Sequence, residues 1–178
     1  MAELEIALLE PAAAQDTAVV DRLAQLINDV YAVAESGLWR EGMERTTAAE
    51  LVQDIRAGEI VVATRDGEIA GALRLHDVAD DMSEFGLLVA DPAQRSTGVG
   101  RALLDFAEQH SRDRGLRAMQ LELLVPREWS HPSKEFLIGW YGRRGYELAR
   151  LTTMDDAYPH LAPLLATPCD LQIREKRL

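Results

Sequence analysis

The chain has 178 residues, of which 19 are lysine or arginine and 30 are aspartate or glutamate, so its formal net charge is −11. This surplus of carboxylates argues against a nucleic-acid-binding protein, because such a protein needs a basic patch for phosphate contacts. The one cysteine, Cys169, excludes an internal disulfide and a cysteine-rich metal cluster, and we expect no bound metal. Without a membrane-spanning apolar run or a secretory signal, a cytoplasmic globular protein is expected.

Hydrophobic periodicity divides the chain into alternating helices and strands, which we interpret as one domain over residues 1–178. The predicted strands lie at 5–9, 60–64, 69–75, 85–90, 119–125, 146–151 and 169–173. The predicted helices lie at 19–34, 47–58, 99–110, 136–145 and near Pro159. This interleaving predicts an α/β or α+β fold with a mixed sheet.

Local signals support several of these elements. Asp16 or Thr17 can cap the first helix, and Thr47-Ala48-Ala49-Glu50 is a capping box that begins the second helix. The pair Asp66-Gly67 predicts a hairpin turn, because glycine accepts a positive φ. The strand at 85–90 is almost continuously apolar, which predicts burial on both of its faces.

Residues 87–104 hold the most informative pattern, in which an apolar strand leads into a turn with Gly98 and Gly100 and then into a helix. The amides of a helix's first turn have no internal acceptor and carry partial positive charge, so they bind phosphate. Glycine lets a phosphate approach the backbone closely, and Arg95 and Arg101 add positive charge at the rim. This stretch therefore predicts a binding site for a phosphorylated ligand.

Two common phosphate-binding motifs do not fit this turn. A Walker A loop requires Gly-Lys-Ser/Thr, whereas Gly100 is followed by Arg101-Ala102, and a dinucleotide fingerprint requires a third glycine where Leu103 stands. The run Arg95-Ser96-Thr97-Gly98-Val99-Gly100 instead resembles the acyl-coenzyme A pyrophosphate loop of the GNAT-type N-acetyltransferase superfamily. The strand end before this run and the Ala-Leu-Leu helix after it are also similar to that family.

A second segment carries the same resemblance. Tyr141 is followed four and five residues later by Gly145 and Tyr146, which is similar to a late helix of the superfamily. The resemblance covers residues 59–151 well, whereas the N-terminal helices and the chain after Thr152 match only in general order. It implies a single-domain GNAT-like fold, with a mixed, mostly antiparallel central sheet flanked by helices, and acetyl-CoA as the co-substrate.

The resemblance also implies direct transfer of an acetyl group from the thioester to an amine. Glu84 is then the expected general base for the amine, and Tyr141 is the expected general acid for the departing thiolate. The residues expected to bind acetyl-CoA are the backbone of Leu88, Val89 and Ala90, the loop residues Arg95, Ser96, Thr97, Gly98, Val99, Gly100 and Arg101, and Ser133. The residues expected to contact the acceptor are Glu35, Trp39 and His131.

Each of these residues also has a plain structural interpretation. The alternatives are a simple turn for Gly98 and Gly100, a core aromatic for Tyr141, a solvated carboxylate for Glu84, loop packing for Glu35 and Trp39, and a surface position for His131. The groups expected to be structural or exposed are His76, His110, His160 and the charged tail Arg174-Glu175-Lys176-Arg177.

The alternative function is a non-catalytic acyl-CoA-binding regulatory module, and a complete pair of base and acid distinguishes the enzyme from it. A longer acyl donor or an alcohol acceptor is compatible with the same fold. We expect the acceptor to be a small-molecule amine or a peptide amine, and the net negative charge favours a cationic one. A homodimer is expected only because dimers are frequent among proteins.

Overall fold

The computed structural model describes residues 3–178 of the chain. Seven strands alternate with helices in this part of the chain, as the hydrophobic periodicity predicts. The strands are β1 (Glu5–Leu8), β2 (Ile60–Arg65), β3 (Glu68–Ala79), β4 (Met82–Ala90), β5 (Ala118–Pro126), β6 (Glu147–Thr152) and β7 (Cys169–Arg177). The helices are α1 (Thr17–Ala34), α2 (Ala48–Arg56), α3 (Val99–Asp113), α4 (Pro132–Arg143) and α5 (Met154–Ala157).

The strands form one sheet in the order β1-β2-β3-β4-β5-β7-β6. Every neighbouring pair is antiparallel except β4 and β5, which are parallel. The prediction of a single-domain α/β fold with a mixed, mostly antiparallel sheet flanked by helices is therefore confirmed.

Helices cover both faces of the sheet, and the alternation of side chains along β2 shows which helix lies on which face. Val61 and Ala63 belong to the apolar cluster of α3, which also includes Tyr141 from α4. Ile60 and Val62 belong to the cluster of α1 and α2 on the opposite face. The sheet is thus the middle layer between two apolar cores.

The predicted helix caps are present at α1 and α2. The Asp16 carboxylate accepts hydrogen bonds from the amides of Ala18 and Val19. The Thr47 hydroxyl accepts from the Glu50 amide, and the Glu50 carboxylate accepts from the Thr47 amide, which completes the capping box. Both helices therefore begin where the local sequence predicts.

Gly71 in β3 allows α3 to pack directly on the sheet, and this contact places the beginning of α3. A Cβ atom at Gly71 would lie 2.6 Å from Val99 Cγ1 and 2.7 Å from the Val89 carbonyl oxygen. Val99 lies in the first turn of α3, and Val89 lies near the end of β4. The glycine therefore sets the distance between the helix and the strand that precedes it.

We expect Gly71→Ala to lower the free energy of unfolding by about 1–3 kcal/mol, because the added methyl group must displace a backbone oxygen in a close-packed interior. Denaturant unfolding followed by circular dichroism measures this loss. Gly86→Ala in β4 is the matched control, since a Cβ atom there would meet no atom within 4 Å. An equal loss in both variants would contradict the explanation by close packing.

Three sequence-based predictions about individual elements are wrong. β4 alternates between buried and half-buried residues instead of being buried on both faces, because a cleft beside it leaves every second residue partly open. α4 begins at Pro132, before the predicted apolar stripe, because His131 caps it and proline fits the first helical position. Pro159 lies in a turn between α5 and a short 3-10 segment, Ala162–Leu164.

The charged C-terminal run also differs from its predicted role as a solvated face. It is the end of β7, which is paired with β5 and β6. The Lys176 ammonium lies 2.8 Å from the Glu108 carboxylate, and the Arg174 guanidinium donates to the Tyr146 carbonyl at 3.3 Å. The Arg174 and Lys176 side chains are therefore held by polar partners instead of being free in solvent.

Candidate active site

A cleft opens in the middle of the sheet because β4 and β5 separate. Their parallel pairing covers only Met82–Glu84 with Ala118–Gln120, and the two strands share no ladder beyond these residues. The resulting cleft has a volume of about 1620 Å³. It is large enough for a ligand of extended shape together with a second, smaller molecule.

The course of β4 changes at a bulge beside the cleft. Leu73 on β3 faces both Leu87 and Leu88 on β4, and Leu87 has a φ of +51°. A β-bulge bends its strand and re-aims the residues that follow it. After the bulge, Val89 and Ala90 pair with Ala72 and Gly71 of β3, and Leu88 to Ala90 line the cleft. Their edge toward β5 is free to hydrogen-bond a ligand.

The turn after β4 leads to the beginning of α3 at one end of the cleft. Gly98 is the N-cap residue, with a φ of +83° and no side-chain cap. The first helical hydrogen bond runs from the Ala102 amide to the Gly98 carbonyl at 2.9 Å. The amides of Val99, Gly100 and Arg101 therefore precede the hydrogen-bonded part of the helix and have no acceptor within it.

Open space lies in front of these amides. A Cβ atom at Gly98 or at Gly100 would meet no atom within 4 Å. Gly100 has an ordinary helical conformation, so neither packing nor backbone geometry requires a glycine there. An anion that approaches the amides closely would use this space.

The loop residues predicted to bind the co-substrate are mostly brought together. Arg95, Ser96, Gly98, Val99, Gly100 and Arg101 line the cleft, as do Leu88, Val89, Ala90 and Ser133. Thr97 does not line it; its hydroxyl donates to the Gln94 carbonyl at 2.6 Å, behind the loop. The Arg101 side chain is 77% exposed and lies 3.8 Å from Asp105, so it stands at the rim.

Tyr141 lies on α4, with its ring in the core and its hydroxyl in the cleft. The side chain is 5% exposed, and the ring centroid is 5.8 Å from that of Phe85 and 6.0 Å from that of Tyr146. Within residues 3–178 the hydroxyl forms no hydrogen bond, although the residue lines the cleft. Burial raises the pKa of Tyr141, so the hydroxyl stays protonated and can donate.

Glu84 lies at the floor of the cleft, where β4 and β5 still pair. Its carboxylate accepts a hydrogen bond of 2.5 Å from the Gln120 side chain and lies 3.6 Å from the His76 imidazole. Burial raises the pKa of Glu84, and the hydrogen bond from Gln120 acts in the opposite direction. A carboxylate with a raised pKa is a stronger base near neutral pH.

A second carboxylate, which the sequence did not single out, faces the same cleft. Glu122 on β5 accepts a hydrogen bond of 2.5 Å from the Tyr158 hydroxyl, and both residues line the cleft. Burial raises the pKa of Glu122, and the nearby charge of Glu84 raises it further. In the sequence, Glu122 is only the polar partner in a strand-like alternation, so nothing local distinguishes it from a solvated residue.

Two further residues of the cleft were missed or misplaced by the sequence. Tyr31 on α1 lines the cleft, and the Arg45 guanidinium lies 5.0 Å from its ring centroid. His76, expected to be structural or exposed, also lines the cleft, and burial lowers its pKa. Tyr31 lies outside the apolar stripe predicted for the first helix, and His76 alternates with the apolar residues of its strand, so neither pattern marked them as part of a site. The cleft that brings them together comes from tertiary structure.

A buried ion pair joins the loop after α1 to the start of α4. The Lys134 ammonium lies 2.6 Å from the Glu35 carboxylate, and both side chains are almost fully buried. The Trp39 indole donates to the other Glu35 oxygen at 3.2 Å. Glu35 and Trp39 line the cleft, as predicted for residues near the acceptor, and Lys134 lines it too.

His131 does not line the cleft, and its predicted contact with the acceptor has no support in the geometry. The surface alternative is wrong as well, because the residue is 5% exposed. Its Nδ1 accepts from the Ser133 amide at 3.2 Å, and its Nε2 lies 3.0 Å from the Ser36 carbonyl oxygen, to which it can donate. The imidazole is therefore occupied in capping α4 and in fixing the neighbouring loop.

Two other kinds of feature are absent from the residues that the structure describes. No helix between residues 3 and 178 combines the length and apolarity needed to cross a bilayer. Over the same range, histidine, cysteine, aspartate and glutamate side chains do not gather in threes in a way that could hold a metal ion.

Comparison with protein families identifies the chain. Residues 23–146 match the sequence model described as the acetyltransferase (GNAT) family, and this range is more than half of the chain. The chain belongs to the acetyltransferase (GNAT) family. The loop at 95–100 and the residues around Tyr141 resembled this family, and the prediction that the chain belongs to it is thereby confirmed. No curated protein sequence matches this GNAT chain significantly.

Solved structures share the GNAT fold with this chain at low sequence identity. PaiA N-acetyltransferase from Thermoplasma acidophilum, in complex with coenzyme A, is 18% identical over 99% of both chains, with a TM-score of 0.71. The ribosomal-protein-S18-alanine N-acetyltransferase from Escherichia coli is 17% identical over 98% of this chain and 94% of its own, with a TM-score of 0.66. The putative acetyltransferase yncA from Salmonella typhimurium, with acetyl-CoA, is 16% identical over 99% of this chain and 94% of its own, with a TM-score of 0.67.

Proposed function

We propose that this chain is an acetyl-CoA-dependent N-acetyltransferase that transfers an acetyl group directly from the thioester to an amine. The observation that carries the proposal is the composition of the cleft. The uncapped beginning of α3, the free edge of β4 and the Tyr141 hydroxyl all face the same space. Together they offer amides for an anion, a strand edge for an extended chain and a proton donor.

Coenzyme A fits these features chemically, because it joins a diphosphate to an extended arm with two amide groups and ends in a thiol. The amides of Val99, Gly100 and Arg101 hold the diphosphate in the space in front of the two glycines. The edge of Leu88 to Ala90 hydrogen-bonds the arm in the manner of an added strand. When bound, the co-substrate supplies the activated acetyl group.

Glu84 and Tyr141 handle the protons of the transfer. The amine must lose a proton before it can attack, and the Glu84 carboxylate accepts that proton directly or through a water. Tyr141 donates a proton or a hydrogen bond to the sulfur that leaves. The raised pKa of each group suits its role, since Glu84 becomes a stronger base and Tyr141 remains a donor.

The charge balance of the cleft supports a cationic acceptor. The hydrogen bonds to Glu84 and Glu122 come from Gln120 and Tyr158, which carry no positive charge. Three other carboxylates that line the cleft do have a cationic partner: Lys134 for Glu35, Arg74 for Asp54 and Arg22 for Asp91. A protonated amine, from a small molecule or a peptide, supplies the counter-charge at the floor.

We expect acetyl-CoA to bind the purified protein with a dissociation constant in the micromolar range, measured by isothermal titration calorimetry. With a panel of cationic amines, at least one is expected to release free thiol, which a thiol reagent detects. An absence of binding at millimolar acetyl-CoA would contradict the proposal. Binding without thiol release from any amine would favour the non-catalytic acyl-CoA-binding module instead.

A further inference from the structure

Arg65 lies at the end of β2, behind the loop that precedes α3. One nitrogen of its guanidinium, Nη1, donates to the Gln94 side-chain oxygen and, at 3.3 Å, to the Thr97 hydroxyl. The Thr97 hydroxyl in turn donates to the Gln94 carbonyl at 2.6 Å. A single side chain from a neighbouring strand therefore holds both sides of the turn that leads to Gly98.

The charge of Arg65 has no counter-ion among the residues that the structure describes. Both of its hydrogen-bond acceptors are uncharged, and its Nε is buried without a partner. Its cross-strand neighbour Glu68 is exposed and forms no ion pair with it. A partly buried positive charge without a counter-ion acts over a longer distance than a paired one, because solvent screens it less.

A second arginine supports the connection between β4 and α3, but unlike Arg65 it has a counter-ion. Arg22 on α1 lies 2.5 Å from the Asp91 carboxylate, which neutralises its charge. Asp91 follows β4 directly and also accepts a hydrogen bond from the Ala93 amide. Two arginines therefore support the strand-to-helix connection, but only Arg65 leaves a net positive charge beneath the loop.

We propose that Arg65 is a positioning residue for the diphosphate of the co-substrate. It fixes the turn from Gln94 to Thr97 so that the α3 amides face the anion, and its uncompensated charge strengthens their positive potential. This inference rests on the proposed function, since it requires coenzyme A to bind at the beginning of α3. Arg65 does not line the cleft, so it acts through the loop.

The test compares coenzyme A with two of its fragments, dephospho-coenzyme A and pantetheine. The dissociation constants of coenzyme A and dephospho-coenzyme A are measured by calorimetry, and that of pantetheine by ligand-observed nuclear magnetic resonance. Arg65→Gln is expected to weaken the first two by about tenfold and to leave pantetheine, which has no diphosphate, unchanged. Arg65→Lys, which keeps the charge but not the planar fork, is expected to lose less.

Arg117→Gln is the matched control, because it removes the same charge from an 80% exposed side chain paired with Asp81. Its neighbour Ala118 pairs with Met82, at the opposite end of β4 from the loop. If Arg65→Gln does not fold, Thr97→Val removes one acceptor of the guanidinium and keeps the charge. A twofold or greater loss of coenzyme A affinity in that variant, with pantetheine unchanged, would support the inference, and an unchanged affinity would overturn it.

Three results for a folded Arg65→Gln variant would overturn the inference. They are an unchanged affinity for coenzyme A, an equal loss for all three ligands, and a loss for coenzyme A that spares dephospho-coenzyme A. The second result would indicate a collapsed cleft, and the third would assign Arg65 to the terminal nucleotide phosphate. If the unaltered protein binds no coenzyme A, the proposed function fails instead.

Discussion

Tyr141→Phe is expected to lower kcat by about 100-fold or more while leaving the dissociation constant of coenzyme A nearly unchanged, which is the signature of a lost general acid. The hydroxyl has no hydrogen-bond partner among residues 3–178, so its removal leaves no orphaned group in the protein. The ring remains packed against Phe85 and Tyr146. Steady-state kinetics with the amine found by thiol release, together with calorimetry, measures both quantities.

Tyr146→Phe provides a control with the same chemical change. The Tyr146 hydroxyl donates to the Glu108 carboxylate at 2.9 Å in the core, and Tyr146 does not line the cleft. Its loss is expected to lower the free energy of unfolding by about 1–3 kcal/mol, because a buried charged group loses a hydrogen bond. We expect kcat to stay the same. A Tyr141→Phe variant with full kcat would remove Tyr141 from the mechanism and leave it as a core aromatic.

The second large effect concerns Glu84. Glu84→Gln is expected to lower kcat/KM by about 100-fold or more and to abolish the acidic limb of its pH profile. In the unaltered enzyme we expect this limb at a higher pH than an ordinary carboxylate would give, because burial raises the pKa of Glu84. The proposed base must be deprotonated to act, so we expect the activity to fall as the pH decreases through that pKa. A pH series of kcat/KM measures the shift.

The same substitution has the opposite effect on stability. Because the pKa of Glu84 is raised in the folded state, its contribution to stability is fully present below the unfolded-state pKa and is lost as the pH rises through the folded-state pKa. Glutamine carries no charge at any of these pH values. We therefore expect Glu84→Gln to be more stable than the unaltered protein at pH 7, with a smaller difference at pH 4, as measured by urea unfolding.

Glu122→Gln tests whether Glu122 acts as the base or only attracts a cationic acceptor by its negative charge. This variant also removes one carboxylate, and the hydrogen bond from Tyr158 can persist to the amide oxygen. It is expected to raise KM for a cationic acceptor while the acidic limb remains. If the limb persists in Glu84→Gln and disappears in Glu122→Gln, then Glu122 is the base.

Local sequence predicted the parts of the site that depend on neighbouring residues. The strand, glycine turn and helix at 85–110 follow from periodicity and from the conformations that glycine permits, so the beginning of α3 was predicted correctly. The caps at Asp16 and Thr47 were predictable for the same reason, since each bonds to an amide two or three residues away.

The part of the cleft around Glu122 and Tyr158 depends on contacts between distant segments and was missed by the sequence analysis. Glu122 faces the cleft only because β5 separates from β4, and its partner Tyr158 comes from a segment 36 residues later. The burial of His131 follows from its contact with Ser36, which is 95 residues away in the chain. Periodicity shows which way a side chain points from its own element, but it does not show what lies opposite.

The short parallel ladder between β4 and β5 divides the sheet into a four-strand half and a three-strand half. Only three residue pairs connect the two halves along this seam, at the end away from the beginning of α3. We expect a molecule seated between the halves to substitute for the absent part of the ladder and to tie them together. Occupancy and resistance to unfolding are then linked by mass action, so the enzyme is most robust when its donor is abundant.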